Sequence, residues 1–114
     1  FVAHRTIGPF LEAYGVAADR LAMRDANEEI DRDEFILECI GVAQQRWYQK
    51  ELYSAESISR DLFSGAWQLA SNRGLIEPGT PDLAERRTAF AAEFHEANHR
   101  IDVIRTMARK KEEI

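Results

Sequence analysis

The residues of this 114-residue chain best equipped for chemistry are His95, Glu96 and His99, which spell H-E-x-x-H. On a helix this spacing sets two imidazoles one turn apart on one face, able to bind zinc, with a carboxylate between them. Zinc chemistry of that kind takes a third ligand from further along the chain. No histidine follows His99, and Glu112 and Glu113 stand in an end segment expected to fray. Arg100 would also place a cation beside the metal. The expectation is two solvated histidines and no metal. Glu96-x-x-His99 is likewise half of a di-iron bundle site, which needs a second Glu-x-x-His on a facing helix. His4 has no glutamate three residues before it, so the second half is missing. Glu85-Arg86-Arg87 could hold an anion near a helix start but reads as a solvated charged face. Cys39, the single cysteine, falls on an apolar stripe and reads as a small buried hydrophobe. There is no glycine-rich phosphate loop and no Ser/His/Asp set that spacing singles out. No catalytic, cofactor-binding or metal-binding residue is therefore assigned, and no cofactor is expected.

Four helical patterns must position these residues. The most explicit is Ser54 to Ile76, expected to be helical near 55–73. Ser54 can cap the first turn and Glu56 adds negative charge near the positive end of the dipole. Ile58, Leu62, Ala66, Leu69 and Ala70 make one apolar stripe, and Phe63, Ala66, Trp67 and Ala70 a second beside it. So wide an apolar surface needs neighbours on more than one side, and predicts the central place in the fold. Gly74 should close the helix in the left-handed conformation, with Leu75 folding back on the last turn.

In chain order, Gly8-Pro9 signals a first helix near 9–26, with Pro9 at the first helical position. Phe10, Ala13, Tyr14, Ala17 and Leu21 form its stripe, and Asp19 and Arg20 fall on the other face. Gly15, unfavourable mid-helix, suggests a close helix–helix contact. Asp31 and Glu34 open a second helix near 32–50 with capping-box spacing. Its buried stripe is Ile36, Cys39, Ile40, Ala43 and Trp47, and Gln44, Gln45, Arg46 and Gln49 are its wet side. The short link to the next helix makes the two antiparallel neighbours. After the Glu77–Pro81 loop, Thr80 as N-cap and Pro81 as first helical residue start a long helix near 81–109. There Leu83, Phe90, Ala97 and Ile104 repeat every seven residues, with Arg87, Phe94, Ile101 and Ala108 between them. That is a bundle seam interrupted by Arg87. Leu62, Trp67, Phe90, Phe94 and Ile101 are expected in the core.

These patterns predict one all-α domain over residues 1–114, a four-helix bundle with a long C-terminal helix. Hydrophobic content of 45% and charged content of 31% are ordinary for a globular domain. A net charge of −5 argues against a nucleic-acid partner, whose protein surfaces are usually basic. No apolar run approaches the ~20 residues of a membrane span. The sequence opens at Phe1 as if inside a continuing chain, so a longer protein is expected.

Four segments together carry a resemblance: Pro9-Phe10-Leu11-Glu12-Ala13-Tyr14 with Ala17-Ala18-Asp19; Glu56 to Phe63; Leu69-Ala70-Ser71-Asn72-Arg73-Gly74-Leu75-Ile76; and Arg86-Arg87 with Phe90-Ala91 and Glu93. In order and spacing they resemble the C-terminal helical region of bacterial membrane-associated glycerol-3-phosphate acyltransferases, above all the actinobacterial ones. The family transfers an acyl group from acyl-CoA or acyl carrier protein to the first hydroxyl of glycerol 3-phosphate, the entry to phospholipid synthesis. The resemblance implies a peripheral location on the cytoplasmic side of the membrane. It also implies an upstream catalytic domain as partner, with the membrane surface as a further one. The family's signature is His-x-x-x-x-Asp, a general base with its orienting carboxylate. Five residues after His4, His95 and His99 stand Pro9, Arg100 and Ile104, so the signature is missing here. What the resemblance implies is a non-catalytic accessory domain. The alternative is a free-standing helical interaction or dimerisation module.

Overall fold

The computed structural model describes residues 3–52, 55 and 58–112, with residues 3–7, 105 and 108–112 described by backbone alone. Four helices follow one another: α1 (Ala3–Met23), α2 (Arg32–Tyr48), α3 (Arg60–Asn72) and α4 (Leu83–Glu112). Among the described residues there is no strand, so the architecture is all-α.

Helix α1, not α3, holds the centre, since α2, α3 and α4 all pack on it. Its run Ala13 to Ala18 is buried around the whole circumference, with small residues at nearly every position. Small side chains let three neighbours approach at once, a signal weaker to the eye than the broad apolar face of α3. Where a Cβ on Gly15 would stand, Asn98 Nδ2 lies 3.0 Å away, and that amide donates to the Leu11 carbonyl at 3.0 Å. Gly15 is thus the close contact its position suggested, and it sets α1 against α4. Gly65 plays the same part between α3 and the Tyr14 hydroxyl of α1. Helix α1 begins before the Gly8-Pro9 signal, and Pro9 lies inside it. The ring there removes one donor from the ladder and crowds the carbonyl four residues before it, a cost that the packing of α1 against its neighbours must offset.

The other boundaries shift in instructive ways. Ser54 and Glu56, the expected cap of α3, lie outside the described residues. The cap in place is Ser59, whose hydroxyl accepts from the Leu62 N–H at 3.3 Å. The expected end is as written: Gly74 has φ 71°, Leu75 N–H reaches the Ala70 carbonyl at 2.9 Å and Gly74 N–H the Ser71 carbonyl at 3.0 Å. That pair of bonds is a Schellman motif. Helix α2 starts at its predicted cap, Asp31, which accepts from the Glu34 N–H. It ends in a second Schellman motif, with Lys50 rather than glycine at φ 61° and Glu51 N–H on the Arg46 carbonyl at 2.8 Å. Thr80 does not cap α4; its hydroxyl donates to the Glu77 carbonyl within the loop, and the helix opens after Asp82 at φ 60°.

Of the five expected core side chains, Phe90 and Phe94 are buried, while Leu62, Trp67 and Ile101 are only half-buried. Helix α3 turns its second stripe inward, burying Phe63, Ala66 and Ala70 with Trp67 tilted against Phe35 of α2. Phe94 meets Phe90 edge-on at 5.1 Å and Tyr14 at 5.7 Å, fastening α4 to α1. Three expectations from periodicity fail, the first at Phe10 of the α1 stripe, which is 40% exposed. Ile104 continues the heptad yet is exposed, because α4 outruns the helices that cover its first half. Trp47, assigned to the buried stripe of α2, is 38% exposed at the end of that helix.

Candidate functional site

A cleft of about 1010 Å³ opens between α1, α4 and the last turn of α2. At its floor Asp19 of α1 joins all three helices. Its Oδ1 lies 2.6 Å from His95 Nε2 of α4, and its Oδ2 accepts from Arg46 of α2 at 3.3 Å. The Asp19 side chain is 19% exposed and His95 65%, so the histidine hangs over a half-buried carboxylate. Val16 and Leu52 supply apolar floor, and Trp47 and Tyr48 stand at the mouth.

This pairing lay beyond sequence spacing, because 76 residues separate the partners. Helical periodicity puts Asp19 opposite the apolar stripe of α1, and Arg46 on the wet side of α2. The available signal was Gly15: a residue one turn after a helix–helix contact lies on the same face, so Asp19 must point toward α4.

The H-E-x-x-H run is split by its surroundings. His95 turns to Asp19, Glu96 pairs with Arg100 at 2.7 Å along the same helix, and His99 is exposed. Among the described residues no three His, Cys, Asp or Glu side chains converge as a metal set would need. Nothing is described of the His4 side chain, although its backbone lies in α1. A histidine oriented by a carboxylate can act as a base. The described residues lining the cleft include no serine, threonine or cysteine for it to activate.

Two other sequence candidates take structural places. Arg87, read as part of a solvated face, is 0% exposed. Its Nε donates to the Leu75 carbonyl at 2.8 Å and its NH2 to the Ile76 carbonyl at 3.3 Å. It thus ties the chain leaving α3 to α4, and it breaks the heptad where two carbonyls of that chain accept from its guanidinium. Burial, with the nearby Arg24 charge, lowers its pKa below that of an ordinary guanidinium. Arg86 does lie at the surface and donates to the Arg73 carbonyl. Cys39 is buried, as its stripe predicted, and burial with the adjacent Glu38 charge pushes its thiol up to about 12.

Residues 1–79 match the family described as the glycerol-3-phosphate acyltransferase C-terminal region. Over 111 residues the chain is 39% identical to the "Putative acyltransferase plsB1" of Mycobacterium bovis and of Mycobacterium tuberculosis. Those alignments cover 96% of this chain and 18% of each relative, so the chain spans less than a fifth of their length. No solved structure matches it. The segments that carried the resemblance at Pro9–Asp19, Glu56–Phe63 and Leu69–Ile76 all lie within the matched residues, and the chain belongs to the family of glycerol-3-phosphate acyltransferase C-terminal regions.

Proposed function

We propose that this chain is the non-catalytic helical accessory region of a longer glycerol-3-phosphate 1-O-acyltransferase. That enzyme takes the acyl group from acyl-CoA or acyl carrier protein and releases lysophosphatidic acid for phospholipid synthesis. The observation that carries the reading is the alignment itself: almost all of this chain, but only 18% of the acyltransferase relatives. The residues agree with it. No histidine has an aspartate five positions on, and the one histidine–aspartate pair described, His95–Asp19, is tertiary and open to water, without the local spacing of that signature. An accessory bundle acts by contact: it covers apolar surface of the catalytic portion, or supports the donor site from outside. We place the enzyme at the cytoplasmic face of the membrane. Among the described residues no helix is long and apolar enough to cross a bilayer, so this region would take part there peripherally.

The test compares acylation of glycerol 3-phosphate by the full-length protein, by the same protein lacking residues 1–114, and by this chain alone. The full-length protein transfers acyl groups and the chain alone does not. The deletion lowers activity through stability, donor binding or membrane association. Acylation by the chain alone overturns the accessory reading, and a full-length protein without an acyltransferase domain leaves the interaction module as the better account.

A further inference from the structure

The large apolar side chains left in water are not spread evenly. Asn98 on the Leu11 carbonyl and His95 on Asp19 make α1 and α4 antiparallel, so residues 101–112 of α4 run alongside the start of α1. At this end lie exposed Phe10 on α1 and Val103, Ile104 and Met107 on α4. The last turn of α2 reaches the same end, since Trp47 and Tyr48 line the cleft together with Glu12 and Asp102. Tyr48 is 81% exposed and Met107 59%. Among the described residues, only Met23 and Leu37 of the exposed large hydrophobics lie elsewhere.

Helix α4 has 30 residues, about 45 Å at 1.5 Å per residue. The molecule measures 55 × 24 × 21 Å. Helix α4 therefore runs on past the ends of α2 and α3, and its described side chains at 102–104, 106 and 107 are exposed. Isolated exposed apolar residues are normal, but a cluster of aromatic residues and methionine beside a half-polar cleft has the composition of a protein interface. Chain length and direction name the occupant. More than four-fifths of each relative lies outside the region aligned here. Any polypeptide that precedes α1 in such a protein emerges at this same end, because Ala3 opens the helix there.

We propose that this end of the bundle, with Trp47 and Tyr48 at the cleft mouth and Phe10, Ile104 and Met107 beyond it, is the surface on which the acyltransferase portion of the same polypeptide docks. The assignment rests on the accessory reading above and adds to it which face makes the contact. Trp47 is the anchor: it is half out of water in this chain and sits over a cleft that a partner would close. The other end of the bundle, with Met23 and Leu37, stays in solvent.

Thiol labelling of the full-length protein tests this, with glycerol 3-phosphate acylation measured on the same samples. Single variants Tyr48→Cys, Ile104→Cys, Met107→Cys, Leu37→Cys and Met23→Cys are alkylated under native conditions, with any reactive cysteine outside this region replaced by serine and buried Cys39 left in place. Thiols at 48, 104 and 107 should react at least about tenfold more slowly than those at 23 and 37, because they wait for the interface to open. Equal rates at all five positions in an active enzyme overturn the docking surface and leave the functional reading standing. Protection that disappears on dilution, or appears only with phospholipid vesicles, assigns the face to a second copy or to the bilayer and also overturns it. A full-length protein that transfers no acyl group overturns the functional reading and with it the identity of the occupant. Should a cysteine variant fail to accumulate, Tyr48→Phe against Tyr48→Asp replaces it. Only the charged variant should lose activity, and equal activity in both counts against the proposal.

Discussion

Arg87 shows how a single residue can invert its apparent role. In the sequence it interrupts an apolar seam; in the fold its guanidinium is the buried link between α4 and the carbonyls of Leu75 and Ile76. Arg87→Met removes both bonds and leaves a buried carbonyl unsatisfied, so urea denaturation should show a loss of about 2–4 kcal/mol. A loss near zero would mean that water reaches those carbonyls. Glu38 offers a second residue-scale test. Burial alone would raise its carboxyl, but hydrogen bonds from Arg20 and Arg24, and their charge, outweigh it and hold the group below its ordinary 4.5. A carboxyl depressed in the folded state adds stability above its unfolded pKa, and that stability is lost as pH falls through the folded value. Wild type should therefore lose its advantage over Glu38→Gln between about pH 6 and pH 3. A difference that is flat across that range would show that the arginines do not act on Glu38 in solution. For the H-E-x-x-H run, His95→Ala with His99→Ala should change stability by less than about 0.5 kcal/mol, since His95 meets Asp19 at an exposed site. Stoichiometric zinc in protein purified without a histidine tag would overturn the solvated reading.

At the scale of the helix, the glycines and their substitutes separate cleanly. Gly74 and Lys50 occupy the same left-handed place in two Schellman motifs, but only one is glycine. A side chain there is strained by roughly 1–2 kcal/mol, so Lys50→Gly should raise stability by about 1 kcal/mol and Gly74→Ala should lower it similarly. Gly15 and Gly41 both stand mid-helix. Gly15→Ala would drive a methyl toward Asn98 Nδ2 and disturb its bond to Leu11, whereas a methyl on Gly41 meets nothing within 4 Å. Gly41→Ala should therefore stabilise by roughly 0.5–1 kcal/mol, the difference in helix propensity, and Gly15→Ala should destabilise. Thermal melting of the pair decides it, and matching shifts would mean that α1 and α4 do not approach as closely as the Asn98 contact requires.

For the whole molecule, the core is assembled around α1, and the side chain that α3 commits to it is Phe63. Phe63→Ala should cost about 3–5 kcal/mol, as truncation in a packed core does. Leu62→Ala, at a half-buried position one residue earlier, should cost clearly less. The reverse order would place the first stripe of α3 inward and move the centre of the fold back to that helix. The same arrangement explains why the described side chains of α4 from 102 to 107 are exposed: α2 and α3 are too short to cover them.

The sequence by itself determined the parts governed by near neighbours. Four helices, the Asp31 cap, the Gly74 stop, buried Cys39 and the family resemblance all depend on residues a few positions apart, where backbone sterics and helical periodicity act directly. Only the tertiary structure decided which face of each helix won. Trp47 and Ile104 continue apolar patterns but stay exposed because no other helix reaches them. Asp19, Arg46 and Arg87 carry charge yet are held partly or wholly inside, because each is met by partners from distant segments, although Arg87 NH1 is buried without one among the described residues. Periodicity reports that a face is apolar. Whether a neighbour is long enough to cover it, or holds a carbonyl or carboxylate to receive a cation, is fixed only when the helices meet.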